Sequence, residues 1–359
     1  MKLSPFQQEH IEETYRLTRL SGLNQNLDFN SWKKLVLWSI FDNPYRESRI
    51  AGHILEEKDQ ILAFHYYLYH PLRIYDQEKI SAESGDFVVH PKCRGTKGII
   101  FMKTSSEYFK NKSDNNVMFG LTANRVNNKI WMYIGALGVP KTDITYSGII
   151  SKKKLIKQKL SRYPYLRRYN GIGLGVLSEI YLRWMKKKLL TFKEPSLLVE
   201  IPLNLANADT EEVDQVCQQY FDSFDIGVIK TCEYLRWRYL NHPFAETYHA
   251  FGLRTRDHEL LGVGILQIKV SGSVYICELI YNPGYPAIEE EMIAAANDTA
   301  IKIGGATIHT KFINDGLEAL FQKYNLDSHK KHYDQFVLFA ESGIEGARAT
   351  FTYGDLKKF

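Results

Sequence analysis

One order of elements runs through this chain twice, and that repetition constrains its fold more than any other feature. The first pass is a hairpin, HILEE and ILAFHYYLY about the turn KDQ, followed by the strand ISAESGDFVVH. The helix IIFMKTSSEYFK, the strand NVMFGLT and a helix from near Asn124 to near Gly138 complete it. The second pass is AFGLRTRDHELLGVGILQIKV, a hairpin turning at TRDHE, then the strand SVYICELIYNP. The helix EEEMIAAANDTAIKIG, the strand ATIHTKF and the helix NDGLEALFQKYNL follow in the same order. Alternating apolar residues mark the strands; apolar spacings of three and four mark the helices. Pro91 to Asn124 is 33 residues and Pro283 to Asn314 is 31. A shared order at a shared spacing argues for internal duplication.

The expected fold is α/β of the mixed α+β kind: two domains in tandem, each a mixed, largely antiparallel sheet flanked by helices. At 359 residues, 44% of them hydrophobic, the chain can bury two cores. The expected division is 1–150, a basic helical connector over 151–200, and 201–359. The first 45 or so residues read as helical. MKLSPFQQEHIEETYRLTRL looks like a first helix, and SWKKLVLWSIFDNP like a second that opens on a Ser cap and stops before Pro44. The connector holds SKKKLIKQKLSRYPYLRR and RWMKKKLL, with Glu179 its one acid up to about Leu190. It reads as a solvated linker, with phosphate contacts or an anionic membrane surface as open alternatives.

A net charge of +5 suits an anionic ligand and is too weak to argue for nucleic acid. Cys93, Cys217, Cys232 and Cys277 have no metal-binding spacing and read as reduced thiols of a cytoplasmic protein, with no metal expected. No apolar run approaches the ~18 residues of a membrane span, so stable insertion is not expected.

The two passes differ at one place. The first has FVVHPKCRGTKGII; the second has YNPGYPAIEEEM. A loop between a strand end and a helix start offers unpaired N–H groups beside the positive end of the helix dipole, which suits phosphate. Gly95 and Gly98 let backbone approach the oxygens, Arg94 and Lys97 supply charge, and Thr96 a hydroxyl. The plain alternative is an ordinary turn with solvated bases. In the second pass the glycines and bases are replaced by prolines and three glutamates, so that half is expected not to bind the same ligand.

V-x-P-x-x-R-G-x-x-G opening a helix, after a hairpin and a further strand, resembles motif A of the GNAT acyl-CoA-dependent N-acyltransferases. The resemblance implies that Arg94, Gly95, Thr96, Lys97, Gly98 and Ile99 hold the pyrophosphate of an acyl-CoA co-substrate. It implies that the Val88 and Val89 amides meet the acyl carbonyl and pantetheine arm. LTANRVNNKIWMYIGALGV resembles the segment that brings an Asn and a Tyr to the thioester, here Asn124 and Tyr133. Helix capping by Asn124 and core packing of Tyr133 are the plain readings beside these. Lys97 stands where that family commonly has a small residue, and Tyr133 lies five residues before Gly138 rather than four. EYLRWRYLNHP resembles a segment of tandem GNAT enzymes that acylate nucleotide-linked amino sugars in bacterial surface-polysaccharide (O-antigen, lipopolysaccharide) biosynthesis.

Amide formation requires a neutral amine, a stabilised oxyanion and a leaving thiolate. Asp86 is the preferred general base, with Glu83 second; on an ideal strand the two face opposite sides unless a bulge intervenes. His65 and His70 on the neighbouring strand are alternatives, though packed histidines are the commoner case. Tyr133 is the candidate proton donor to the thiolate. Trp237 and Arg238 are candidates for the acceptor's base or phosphate, and helix packing accounts for them equally. The expected reaction is direct attack through a tetrahedral intermediate, with an acetyl or short hydroxyacyl group such as 3-hydroxybutanoyl moving to an amino sugar, for example a dTDP-3-amino-3,6-dideoxyhexose. A tRNA-dependent aminoacyltransferase of the peptidoglycan-bridge type and a non-catalytic acyl-CoA-binding module are the alternatives, and a homodimer stays open.

Overall fold

The computed structural model describes the chain except residues 24–26, 113–116, 122–124, 139–143, 152–153, 156–197, 312–314, 325, 331–335, 340–347, 353–354 and 356–359. Asn124 and nearly all of the basic connector lie outside the described residues.

The chain opens on strand β1 (Lys2–Pro5) rather than on a helix, and β1 pairs antiparallel with β2 (Gly52–Glu57). Pro5 is tolerated because β1 is the outermost strand of its sheet. Helices α1 (Ile11–Leu20) and α2 (Phe29–Val36) follow. The cap of α2 is Asp28 rather than Ser31: its carboxylate accepts from the Ser31 backbone N–H at 3.0 Å and hydroxyl at 2.7 Å. A π-type turn, Leu37–Phe41, carries α2 on towards Pro44.

β2 turns into β3 (Gln60–Ile74) through Lys58 and Asp59, both left-handed with φ of 50° and 60°, as a two-residue hairpin turn requires. Then come β4 (Gln77–Val89), α3 (Thr96–Lys112), β5 (Met118–Leu121), α4 (Arg125–Tyr133), β6 (Leu137–Gly138) and β7 (Ile144–Ile149). The last helix of this pass was expected to reach Gly138. It ends at Tyr133 because Gly135 turns left-handed, φ 91°, and Leu137–Gly138 joins a sheet.

The second half begins with β8 (Val199–Pro202), α5 (Thr210–Phe221), β9 (Ile226–Val228) and α6 (Cys232–Leu235), then a second π-type turn, Arg236–Leu240. β10 (Tyr248–Arg254), β11 (Leu260–Ile268), β12 (Ser273–Tyr281), α7 (Ile288–Lys302), β13 (Thr307–Thr310) and α8 (Asp315–Lys323) repeat the first pass. β14 (Asp327–Lys330), β15 (Phe336–Phe339) and β16 (Ala349–Thr350) close the chain.

The two sheets exchange strands. One runs β1-β2-β3-β4-β5-β15-β6, with β9 on the far part of β3 and β16 on β9; the other runs β14-β7-β13-β12-β11-β10-β8. β15, from the second half, lies antiparallel between β5 and β6. β7, from the first, lies antiparallel between β13 and β14. The swap is reciprocal, so the halves are related as partners in a strand-exchanged pair. Trp38 and Trp237 each stand six residues before a proline, Pro44 and Pro243, on the two π-type turns. Their rings stack at 5.4 Å, as equivalent residues do where the relating axis passes between them.

Candidate acyl-CoA site at the β4–β5 fork

β4 pairs in parallel with β5 at Ala82–Met118 and Glu83–Phe119. Beyond Glu83, β4 continues to Val89, pairing among the described residues with β3 alone. The strands therefore fork, and over 84–89 the backbone groups of those residues not bonded to β3 face the gap between them. Val88 buries its side chain, and Val89 packs towards Gly98, whose position leaves 3.4 Å between an added Cβ and the valine.

Ser84 pairs with Tyr67 and Phe87 with His65, so Tyr66 faces two residues, Gly85 and Asp86. This bulge overturns the simple alternation of the sequence reading, because it turns Glu83 and Asp86 to the same face. Glu83 lies across from Leu68 and bonds His70; Asp86 lies beside Tyr66, where its charge disfavours the phenolate.

The two carboxylates differ in access. Glu83 is 3% exposed, its Oε2 3.1 Å from His70 Nε2, and His70 Nδ1 is 3.1 Å from the Tyr234 hydroxyl of α6. Burial lowers the His70 pKa, with Glu83 pulling the other way. This chain of bonds ties the halves together. Asp86 is half-buried on the forked part of β4.

His65 sits on the opposite face. Its Nε2 is 2.6 Å from Ser84 Oγ and its Nδ1 3.1 Å from Ser105 Oγ on α3; Ser105 Oγ also meets Tyr67 OH at 2.6 Å and His53 Nδ1 at 3.1 Å. Burial, then the neighbouring His53, pushes the His65 pKa down to about 3. It is a neutral, fully buried histidine, turned away from Asp86.

The loop carries β4 into α3 through one tight turn and one left-handed glycine. Pro91–Cys93 make one 3-10 turn, Gly95 is left-handed at φ 91° with open space around it, and α3 starts at Thr96. Arg94, Gly95, Thr96 and Lys97 are exposed, Gly98 is buried and Ile99 half-buried. An Arg94 guanidinium N–H donates to the Ser21 carbonyl at 3.3 Å, and the Ser21 hydroxyl donates to the Val89 carbonyl at 3.2 Å, so the end of α1 braces loop and fork. Tyr133, at the end of α4, is 73% exposed.

Trp237 and Arg238 are 5% and 6% exposed. Trp237 stacks on Trp38, and the Arg238 guanidinium lies 5.6 Å from the Trp38 ring centre. The structure brings them near His70, whose ring centre is 6.1 Å from that of Trp237, but encloses them in protein rather than lining an open surface. Trp38 was missed; the matching W-x₅-P of both halves was the available signal.

Counting from the prolines sets the two strand-to-helix junctions side by side. Ala287 stands four residues after Pro283, as Gly95 does after Pro91, and is also left-handed, φ 59°. The backbone turn is kept while the chemistry is reversed: α7 opens with Glu289, Glu290 and Glu291, and Glu290 pairs with Lys323 at 2.9 Å. Glu278, five before Pro283 as Asp86 is before Pro91, is wholly buried against Lys230 (3.2 Å), Tyr239 (2.5 Å) and Thr352 (2.8 Å). Lys230 also meets Asp355 at 3.0 Å. Burial pushes the Glu278 pKa up to about 7, Lys230 opposing and Asp355 adding to it.

No family model matches the sequence. Among curated proteins, the chain is 26% identical over 175 residues to a cytochrome P450-like protein of Acanthamoeba polyphaga mimivirus, a match spanning 47% of this chain and 29% of that protein. Solved structures align over far more of it. An Enterococcus faecalis protein described as a probable N-acyltransferase matches with TM-score 0.58 and 12% identity over 94% of this chain and 72% of that one. A GCN5-related N-acetyltransferase of Kribbella flavida gives 0.57 and 12% over 94% and 70%. Saccharomyces cerevisiae N-myristoyltransferase with bound myristoyl-CoA gives 0.57 and 13% over 94% and 78%. The fold is thus the mixed α/β fold of tandem GNAT-like proteins. Among the described residues no His, Cys, Asp and Glu cluster could hold a metal, and no helix is long and apolar enough to cross a membrane.

Proposed function

We propose that this protein is an acyl-CoA-dependent N-acyltransferase working at the β4–β5 fork of its first half. The observation that carries this reading is the exposed Arg94–Lys97 loop, with left-handed Gly95, at the start of a 17-residue helix beside the open edge of β4. Oriented N–H groups, a helix dipole and two cations suit a pyrophosphate. The fork beside them suits the pantetheine arm.

In this mechanism the Val89 amide receives the oxygen that gains charge as the amine attacks the thioester carbon. His90 N–H bonds the Leu62 carbonyl of β3, so by antiparallel alternation Val88 N–H also turns to β3 and Val89 N–H to the fork. Asp86 takes the amine proton, directly or through a water, because it stands at the fork and is half-open while Glu83 is sealed. As the intermediate collapses, the N–C bond is kept, the C–S bond breaks, and the thiolate takes a proton from Tyr133 or from solvent. The acceptor is a small amine. A nucleotide-linked amino sugar such as a dTDP-3-amino-3,6-dideoxyhexose is our specific proposal; its support is the sequence resemblance of EYLRWRYLNHP. The likeness to proteins described as N-acyltransferases supports the coarser reading.

Calorimetric titration with coenzyme A and acetyl-CoA tests it. Micromolar binding is expected, weakened at least tenfold in the Arg94→Ala, Lys97→Ala double variant. Absence of binding to the wild type would overturn the reading. Thiol release with nucleotide amino sugars then tests the acceptor.

A further inference from the structure

The parallel register of β4 and β5 sets Ser84 beside Gly120 one step beyond the last paired residues, where the fork opens. That point is crowded. A Cβ added to Gly120 would lie 3.1 Å from Ser84 Cβ and 3.3 and 3.5 Å from Cζ2 and Cη2 of Trp131. Trp131, on α4, is 4% exposed and packs with Met102, Met118, Tyr67 and Ala82 in one apolar cluster behind the fork. Ser84 itself is held by His65 at 2.6 Å. On the other face Phe119 is fully buried, with the rings of His70 and Phe351 centred 5.6 and 5.9 Å away. Both faces under the fork are therefore filled, and the glycine exists to admit the indole.

We propose that Trp131 is the end wall of the acyl pocket and restricts the donor to short acyl groups, of the acetyl-to-butanoyl class. The inference rests on the acyl-CoA reading above and adds its chain-length limit. An acyl group lying in the fork points past the β4 amides towards Gly120, where it meets the indole edge. Each added methylene that found apolar room would tighten binding about fourfold; against Trp131 it finds none.

The test measures affinities of the full-length protein for coenzyme A and for acetyl-, butanoyl- and octanoyl-CoA, in the wild type, Trp131→Ala and Trp131→Leu. In the wild type, octanoyl-CoA is expected to bind at least tenfold more weakly than acetyl-CoA. Either smaller residue is expected to recover octanoyl-CoA by tenfold or more, with coenzyme A itself unchanged. Wild type that binds coenzyme A and accepts octanoyl-CoA as tightly as acetyl-CoA sinks the proposal, even if neither variant folds. So does an unchanged chain-length profile in a folded variant. Wild type that binds no coenzyme A overturns the parent reading, and this inference with it.

Discussion

Asp86 and Glu83 show how little residue type alone assigns a role. Both are carboxylates on one face of one strand, three positions apart, yet one is half-open and the other sealed against His70. The expected consequence is a division of labour. Asp86→Asn should lower kcat by roughly 10²–10⁴-fold, the usual range for a lost general base, with coenzyme affinity unchanged. Glu83→Ala should instead leave His70 Nε2 without its carboxylate and cost about 1–3 kcal/mol of stability in urea denaturation. If Glu83→Ala abolishes turnover at unchanged stability while Asp86→Asn is active, the roles are reversed. Lys230 belongs to the same scale: it meets both Glu278 and Asp355 in that buried cluster. Burial disfavours its charge, but Asp355 and Glu278 outweigh that and hold it protonated. Lys230→Met should therefore destabilise by about 3–5 kcal/mol, the usual cost of stripping one partner from a buried ion pair.

At the scale of elements, the network joining β2, β3 and β4 to α3 makes stability depend on pH. Burial pushes His53 down to about 4 and His65 to about 3, the latter also by its neighbour. An unfolded histidine titrates near 6.5, so between these values the unfolded chain binds protons that the folded one refuses. Stability should fall as pH drops below about 6.5, by about 1.4 kcal/mol per unit for each group, or on the order of 2 kcal/mol per histidine at pH 5. Urea midpoints at pH 7 and pH 5 measure this, and His65→Gln should make the slope shallower; an unaltered slope would show that His65 is not the titrating group. This network was not legible in the sequence, because it joins residues 53, 65, 84 and 105 through a register that local patterns do not set. The same holds for the bulge, which turned two carboxylates expected on opposite faces onto one. The strands, the helices and the loop were legible, because hairpin turns, apolar periodicity and the glycine-rich helix start are encoded within a few residues of each other. Local signals misled at Lys2–Pro5 and after Gly135, where pairing with distant strands decided the outcome.

The whole molecule is two halves with the same order of elements whose sheets share strands. Fragment 1–150 would keep β7 with neither of its sheet partners and leave β5 without β15, an open edge of unpaired backbone groups. The second half would miss β7 between β13 and β14 and keep β15 unused. Around the axis between the halves, Trp38 stacks on Trp237 and its indole N–H donates to the Trp237 carbonyl at 3.2 Å, so each half also lacks part of the other's core. Neither half should therefore fold alone, and the intact chain should unfold in one step despite its two sheets. Coincident urea transitions by tryptophan fluorescence and far-ultraviolet circular dichroism are expected for the full chain. Fragment 1–150 alone should be insoluble or self-associated, while co-expression with fragment 198–359 should give a stoichiometric complex that binds coenzyme A. Exchange of this kind also leaves the second half free to differ at the turn corresponding to the Arg94–Lys97 loop, where Glu290 pairs with Lys323, since its β15 still completes the first half's sheet. A soluble, monomeric fragment 1–150 that bound coenzyme A unaided would show that the exchanged strands are dispensable, and that the second half is retained for some other contribution.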